Sequence, residues 1–267
     1  MGKRYINEFL AEEACDPSRL TSDWYYAFKF FLSKLYMQGR NDSLSDRYLK
    51  NMTSCLDQYF QIDPTSTLEA LWQNQHIPHD AQWDNFEIEQ SDLWQHFDNQ
   101  MGKRRDREMV IDVLRYLHSI PLYNIVNLSL NEIGAGRIQD HRNKLMQIWG
   151  AGPKTSAFYL RDVIFLFNCE LTPEDSIELQ PIDTWVKQVV NSLRNDQKND
   201  MEISIEDLIV RYGGTARNSA LLNAGMWYLG KHSFKLVLKL LTLGTISPQM
   251  LQKMDLRLLD GVTDERI

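Results

Sequence analysis

The sequence predicts an all-α protein. Apolar residues recur at helical spacings along most of its 267 residues. No pair of alternating apolar runs flanks a tight turn, so no β-hairpin is expected. Internal repeats, low-complexity tracts and Pro/Gly/Ser-rich linkers are also missing, which points to one helical bundle without an obvious domain boundary.

The elements follow in order. From Asp23 to Met37, Trp24, Ala27, Phe28, Phe31, Leu32 and Leu35 fall on one helical face, with Ser22 or Asp23 as cap and Gly39 as stop. Leu44, Tyr48, Met52, Cys55, Leu56 and Tyr59 mark a second helix over about 44–60. Asp63-Pro64-Thr65 opens a third, because aspartate caps well and proline suits the first turn. Arg107–His118 is amphipathic and ends before Pro121. Later helices are expected at about 140–148, 153–168, 184–193, 205–212, 219–229 and 234–241. The stretch from Gln73 to Asn99 is expected to be irregular, and the acidic stretch from Asn168 to Gln180 to be a loop.

With 43% hydrophobic and 24% charged residues, the chain has the composition of a soluble globular protein. No apolar run approaches a membrane span, and the N-terminus lacks the apolar core of a signal peptide. Cys15, Cys55 and Cys169 are odd in number and widely spaced, which suggests free thiols in a reducing compartment. An intracellular protein, in cytoplasm, nucleoid or nucleus, is therefore expected. The net charge of −7 argues against a protein that coats nucleic acid with lysine and arginine. It leaves open one that grips a few phosphates through backbone amides.

One segment offers such amides: Ile148-Trp149-Gly150-Ala151-Gly152-Pro153-Lys154-Thr155. A helix ends at Ile148, two glycines follow at alternate positions, and Pro153 opens a new helix. The amides at that helix start can hold an anion. A plain helix corner with a glycine stop would look the same. A nucleotide phosphate-binding loop is excluded, because Pro153 interrupts the Gly-Lys-Thr spacing and no strand precedes it. Lys154 stands in the first helical turn, where the macrodipole disfavours a cation. Only a neutral amine is nucleophilic, so this is a fitting place for a lysine nucleophile; an exposed lysine, or one on a phosphate, also fits.

A second feature is Gln180-Pro181-Ile182-Asp183-Thr184-Trp185-Val186. Pro181 and Ile182 read as an extended approach and Asp183 as a helix N-cap. Capping alone accounts for an aspartate there.

Together, Gly150, Gly152 and Lys154, followed by Pro181, Asp183 and Thr184, resemble the helix-hairpin-helix, Gly/Pro-Asp superfamily of DNA glycosylases. The matching motifs cover about 140–190. Trp185 stands where many members have histidine. The gap of 29 residues between Lys154 and Asp183 is longer than in the common branches, and no four-cysteine iron–sulfur set follows. These departures look more like the archaeal-type 8-oxoguanine glycosylase branch.

The resemblance implies a two-lobed helical bundle with the active site in the cleft between lobes. A single domain spans 1–267, with one lobe at about 44–166 and the other at 1–43 plus 167–267. Lys154 becomes the Schiff-base nucleophile and Asp183 the catalytic carboxylate. Phe158 and Trp227 become the aromatic faces of the base pocket, with Gln38 reading the base and Asn223 also in the pocket; core packing is the competing role for both aromatics. Gly150, Gly152 and Thr155 would hold DNA phosphate, supported by the basic run Lys103, Arg104, Arg105 and Arg107, which is also a plausible solvated helix start. No catalytic metal or iron–sulfur cluster is expected. A structural K+ or Na+ would sit on the carbonyls of Met146, Ile148 and Gly152. The expected partner of this monomer is double-stranded DNA with a damaged base, and the expected activity is excision of 8-oxoguanine with strand nicking. A different damaged base, or a helix-hairpin-helix DNA-binding protein without catalysis, stays open.

Overall fold

The computed structural model describes residues 16–37, 42–73, 92–100, 103–193 and 203–242. Among them every regular element is helical, as expected. The described residues fall into two compact units, one ending at Leu171 and one starting at Thr172.

The first unit holds α1 (Pro17–Ser22), α2 (Trp24–Leu35), α3 (Asp42–Tyr59), α4 (Pro64–Gln73), α5 (Asp92–Gln100), α6 (Arg104–His118), α7 (Ile125–Gly134), α8 (Ile138–Leu145) and α9 (Pro153–Phe167). Asp23 caps α2 by accepting the Tyr26 amide at 3.0 Å, and Asp63 caps α4 by accepting those of Thr65 and Ser66. Helix α7 has no counterpart among the expected helices. Its cap is Asn124, which accepts the amides of Val126 and Asn127 and donates through Nδ2 to the Leu20 carbonyl at 3.0 Å. Such a cap stabilises by about 1 kcal/mol, and here it also ties α7 to α1.

The core forms where α2 crosses α7 and α9. Phe31 meets Tyr159 edge-to-face at 4.8 Å, and Phe28, Leu32, Leu35, Leu160 and Val163 are fully buried around them. Residues 17–35 thus pack with α7 and α9 within the first unit.

Three buried charges cross this core. Lys34 on α2 reaches Asp162 on α9 at 3.4 Å. Asp162 also accepts from Arg161 at 2.8 and 2.9 Å, and all three side chains are essentially inaccessible to water. Breaking such a network costs about 3–5 kcal/mol, because it strands a buried charge.

The second unit holds α10 (Pro173–Glu178), α11 (Thr184–Leu193), α12 (Ile205–Gly213) and α13 (Ala216–Thr242), with α11 and α12 both packed on α13.

Three segments differ from expectation. The irregular stretch contains α5, whose Leu93, Trp94 and Phe97 are buried; three apolar residues among Gln, Asn and Asp are too few to show a periodicity. The acidic loop contains α10, where Thr172 caps and Glu174 and Asp175 occupy the first turn. Their charges favour that helix end through the macrodipole. The two late helices are one, α13. Gly230 does not stop it: a Cβ there would come within 2.5 Å of Trp185 Cβ, so this glycine lets α11 approach α13.

Among the described residues no helix is long and apolar enough to cross a membrane. Cys55 and Cys169 are free thiols, while Cys15 lies outside the described residues.

Candidate functional site

The glycine turn sits in the first unit, between α8 and α9. Ile148 and Ala151 point inward and are buried, whereas Trp149 between them is 45% exposed. The Ala151 amide donates to the Ile148 carbonyl at 2.9 Å and closes the turn. Gly150 has φ +85°, in the left-handed region that glycine enters without strain.

Gly152 behaves differently. Its φ of −91° and ψ of 177° are extended backbone open to any residue. A Cβ placed there would meet nothing within 4 Å. Neither conformation nor packing within the protein requires glycine at this position. Room left beside bare backbone at a helix start suits close approach by something else.

Helix α9 then opens with Pro153 at its first position. Thr155 is buried, and its hydroxyl accepts the Gly152 amide at 3.0 Å. That bond is one half of a capping box, the half glycine can join without a side chain, and it leaves the Gly152 amide engaged within the protein. Lys154 is half-buried in the first helical turn.

Two of the carbonyls expected to hold a cation differ in their internal bonds. Ile148 accepts from Ala151, whereas Gly152 accepts from Ser156 at 3.0 Å and also from the Thr155 hydroxyl at 3.2 Å. A carbonyl oxygen has two lone pairs, so Ile148 keeps one for a hard cation, whereas both of those on Gly152 are engaged within the protein. Met146 supplies the C-terminal cap position of α8.

Helix α6 holds the turn from the side. Asp112, buried on α6, accepts the backbone amide of Trp149 and pairs with Arg115. Burial pushes the Asp112 carboxyl up; the Trp149 amide and Arg115 act in the opposite direction. Two helical turns earlier, Arg105 lies over the Trp149 ring, 5.9 Å from its centroid. The rest of the basic run is engaged locally. Lys103 lies over Tyr48, Arg104 pairs with Glu108 at 2.8 Å, and Arg107 stacks on Trp94 at 4.6 Å.

Charge is distributed unevenly. Between Lys103 and Asn168 there are ten Lys and Arg against six Asp and Glu, a net of +4 in a chain whose total is −7. The glycine turn lies within this cationic stretch.

Phe158, one turn into α9 from Lys154, is buried. The Arg161 guanidinium lies 4.3 Å and the Lys34 ammonium 5.7 Å from its ring centroid. The ring therefore packs on the buried charge network. The sequence reading missed Lys34, Arg161 and Asp162, although a lysine on the apolar stripe of α2 and an Arg-Asp pair inside an apolar helix were signals.

Another buried group lies beneath α8. Ser129 Oγ is 2.8 Å from His141 Nε2 and 3.0 Å from the Tyr159 hydroxyl. Burial pushes the imidazole of His141 down to about 4, so it is neutral at physiological pH.

The other predicted residues stand in the second unit. Asp183 caps α11: its carboxylate accepts the Val186 amide at 2.9 Å. Asn223 on α13 is fully buried and donates to the Pro181 carbonyl at 3.3 Å, pinning the approach to Asp183. Trp227, one turn on, is buried. Trp185 fills the space beside Gly230, which is a packing reason for tryptophan at that position. Asp183, Asn223 and Trp227 thus share one unit, and Lys154, Phe158 and the glycine turn share the other. Gln38 lies outside the described residues.

No family model matches the sequence, and no match is found among curated proteins or solved structures.

Proposed function

We propose that this chain is a helix-hairpin-helix DNA glycosylase with strand-nicking lyase activity, acting on an oxidised purine such as 8-oxoguanine. The observation that carries the reading is Gly152. It is a glycine that the protein's own conformation and packing do not require, placed at a helix start next to a lysine. The cationic stretch around it supports a polyanionic partner and meets the objection raised by the overall acidity.

In this reading the damaged nucleotide leaves the duplex, because its glycosidic bond is inaccessible within the stack. The Lys154 amine attacks the anomeric carbon, and the base departs with the bonding pair of the C–N bond. Positive charge builds on the sugar as that bond breaks, as in glycoside hydrolysis, and the Asp183 carboxylate stabilises it. Asp183 also takes a proton from the attacking amine and passes it to the departing base. Ring opening leaves a Schiff base on Lys154. Loss of a proton from the neighbouring carbon then expels the 3′ phosphate. A monovalent cation on the carbonyls of Met146 and Ile148 would supply positive charge beside a phosphate. Asn223 and Trp227 serve as pocket residues.

The test is borohydride trapping on a labelled duplex carrying one 8-oxoguanine, with Lys154→Gln and Asp183→Asn alongside. A covalent complex with wild type, absent in Lys154→Gln, is the expected result. Trapping on an abasic duplex alone would keep the chemistry and replace the substrate. No trapping on either duplex would end the lysine mechanism.

A further inference from the structure

The turn carries a feature that the catalytic scheme does not use. Trp149 is 45% exposed, while its neighbours Ile148 and Ala151 are 4% exposed. Tryptophan has much to gain from burial, and a turn offers many residues that solvate better. The backbone that carries the indole is held on both sides. The Trp149 amide is bound by the buried Asp112, and the turn closes on the Ile148 carbonyl. An exposed arginine, Arg105, approaches the ring from α6. The result is a half-exposed indole on an anchored backbone, with a guanidinium over one side of its ring, in the part of the chain with a net charge of +4.

We infer that Trp149 and Arg105 form a docking point for an unstacked nucleotide of a DNA strand, the indole stacking on the base and the guanidinium holding a neighbouring phosphate. Every base has a π-face, so such a contact tolerates any sequence. Bases within an intact duplex are already stacked on each other, and an indole on the protein surface can stack only on one that has left the stack. The cationic surroundings favour a polyanion over an apolar protein partner. The inference rests on the glycosylase reading only in taking nucleic acid as the partner. It concerns residues that take no part in the bond-breaking steps.

The experiment measures the anisotropy of a short fluorescein-labelled oligothymidylate, single-stranded and annealed to its complement. Wild type, Trp149→Ala, Trp149→Phe and Arg105→Gln are compared across a salt series. The single strand is expected to bind about ten-fold or more weakly to Trp149→Ala. Trp149→Phe keeps an aromatic face and is expected to stay within about three-fold of wild type. Arg105→Gln is expected to flatten the salt dependence by about one phosphate contact. The loss in Trp149→Ala should be smaller on the intact duplex.

Wild-type affinity in Trp149→Ala, an equal loss in Trp149→Phe, or no strand binding by wild type would overturn the proposal. Borohydride trapping on an abasic duplex separates the two readings. If wild type traps and Trp149→Ala binds the strand normally, the docking point falls and the glycosylase stands. If strand binding depends on Trp149 but nothing traps, the docking point stands and the glycosylase falls.

Discussion

The glycine turn before α9 and the Pro-Ile-Asp approach to α11 are both helix starts, and they differ in how much of each is explained by folding alone. At the second, every examined residue has a packing partner. Asp183 caps α11, Asn223 holds the Pro181 carbonyl, and Trp185 fills the gap that Gly230 leaves. At the first, Gly150 is required by its positive φ and Thr155 by its hydroxyl's bonds to the Gly152 backbone. Gly152 and the exposed Trp149 are not accounted for in that way. A residue that folding does not explain is a better pointer to a ligand than one that folding does. The turn therefore points to a ligand more strongly than Asp183 does, although a family motif would weight them equally.

The sharpest way to break this comparison is at Asp183. Asparagine caps a helix about as well as aspartate but carries no charge, whereas alanine removes the cap. Asp183→Asn should keep the wild-type melting temperature and lose about 100-fold or more in single-turnover base excision, in line with losing transition-state charge stabilisation. Asp183→Ala should lose the same activity and about 1 kcal/mol of stability as well. Full activity in Asp183→Asn would make capping its whole role.

A pH series probes the unit that holds the turn. His141 lies on α8, and burial lowers its imidazole from 6.5 to about 4. A depressed folded pKa means stability that is present above 6.5 and lost as pH falls toward 4, because the unfolded chain binds the proton more readily. The loss should reach about 3 kcal/mol, read as the denaturation midpoint at neutral and at acid pH. His141→Gln should lower stability overall and flatten this dependence.

The two glycines that stand apart in the comparison give the next pair. Gly230→Ala forces a Cβ onto Trp185 and should cost about 1–3 kcal/mol in chemical denaturation. Gly152→Ala has room and an ordinary backbone, so its stability should change by less than about 0.5 kcal/mol. DNA affinity should nevertheless fall in Gly152→Ala. An unfolded Gly152→Ala, or one with unchanged binding, would remove the observation on which the functional reading stands.

Much of this was legible in the chain. The spacing of Trp24, Phe28, Phe31 and Leu35 marks α2, and Asp23, Asp63 and Asp183 cap where expected, because these signals act within a few residues. The failures share a cause. Leu93, Trp94 and Phe97 gain their meaning from partners distant in sequence, so α5 was not seen. Gly230 reads locally as a break, but its role is set by Trp185 on another helix. The resemblance gives Phe158 a pocket role, and its contact with Arg161 and Lys34 could not be read from its place in the sequence.

By itself the sequence determined the helical class, the local caps, the glycine turn and the candidacy of Lys154 and Asp183. Each depends on short-range hydrogen bonding, backbone preference or periodicity, which neighbouring residues carry among themselves. Only the tertiary structure decided that Lys34, Arg161 and Asp162 form one buried network, that Gly152 borders open space while Gly230 borders tryptophan, and that Trp149 stands out of the surface beside Arg105. Those facts are about which distant atoms share a volume, and side chains separated by many residues acquire that relation only when the helices pack.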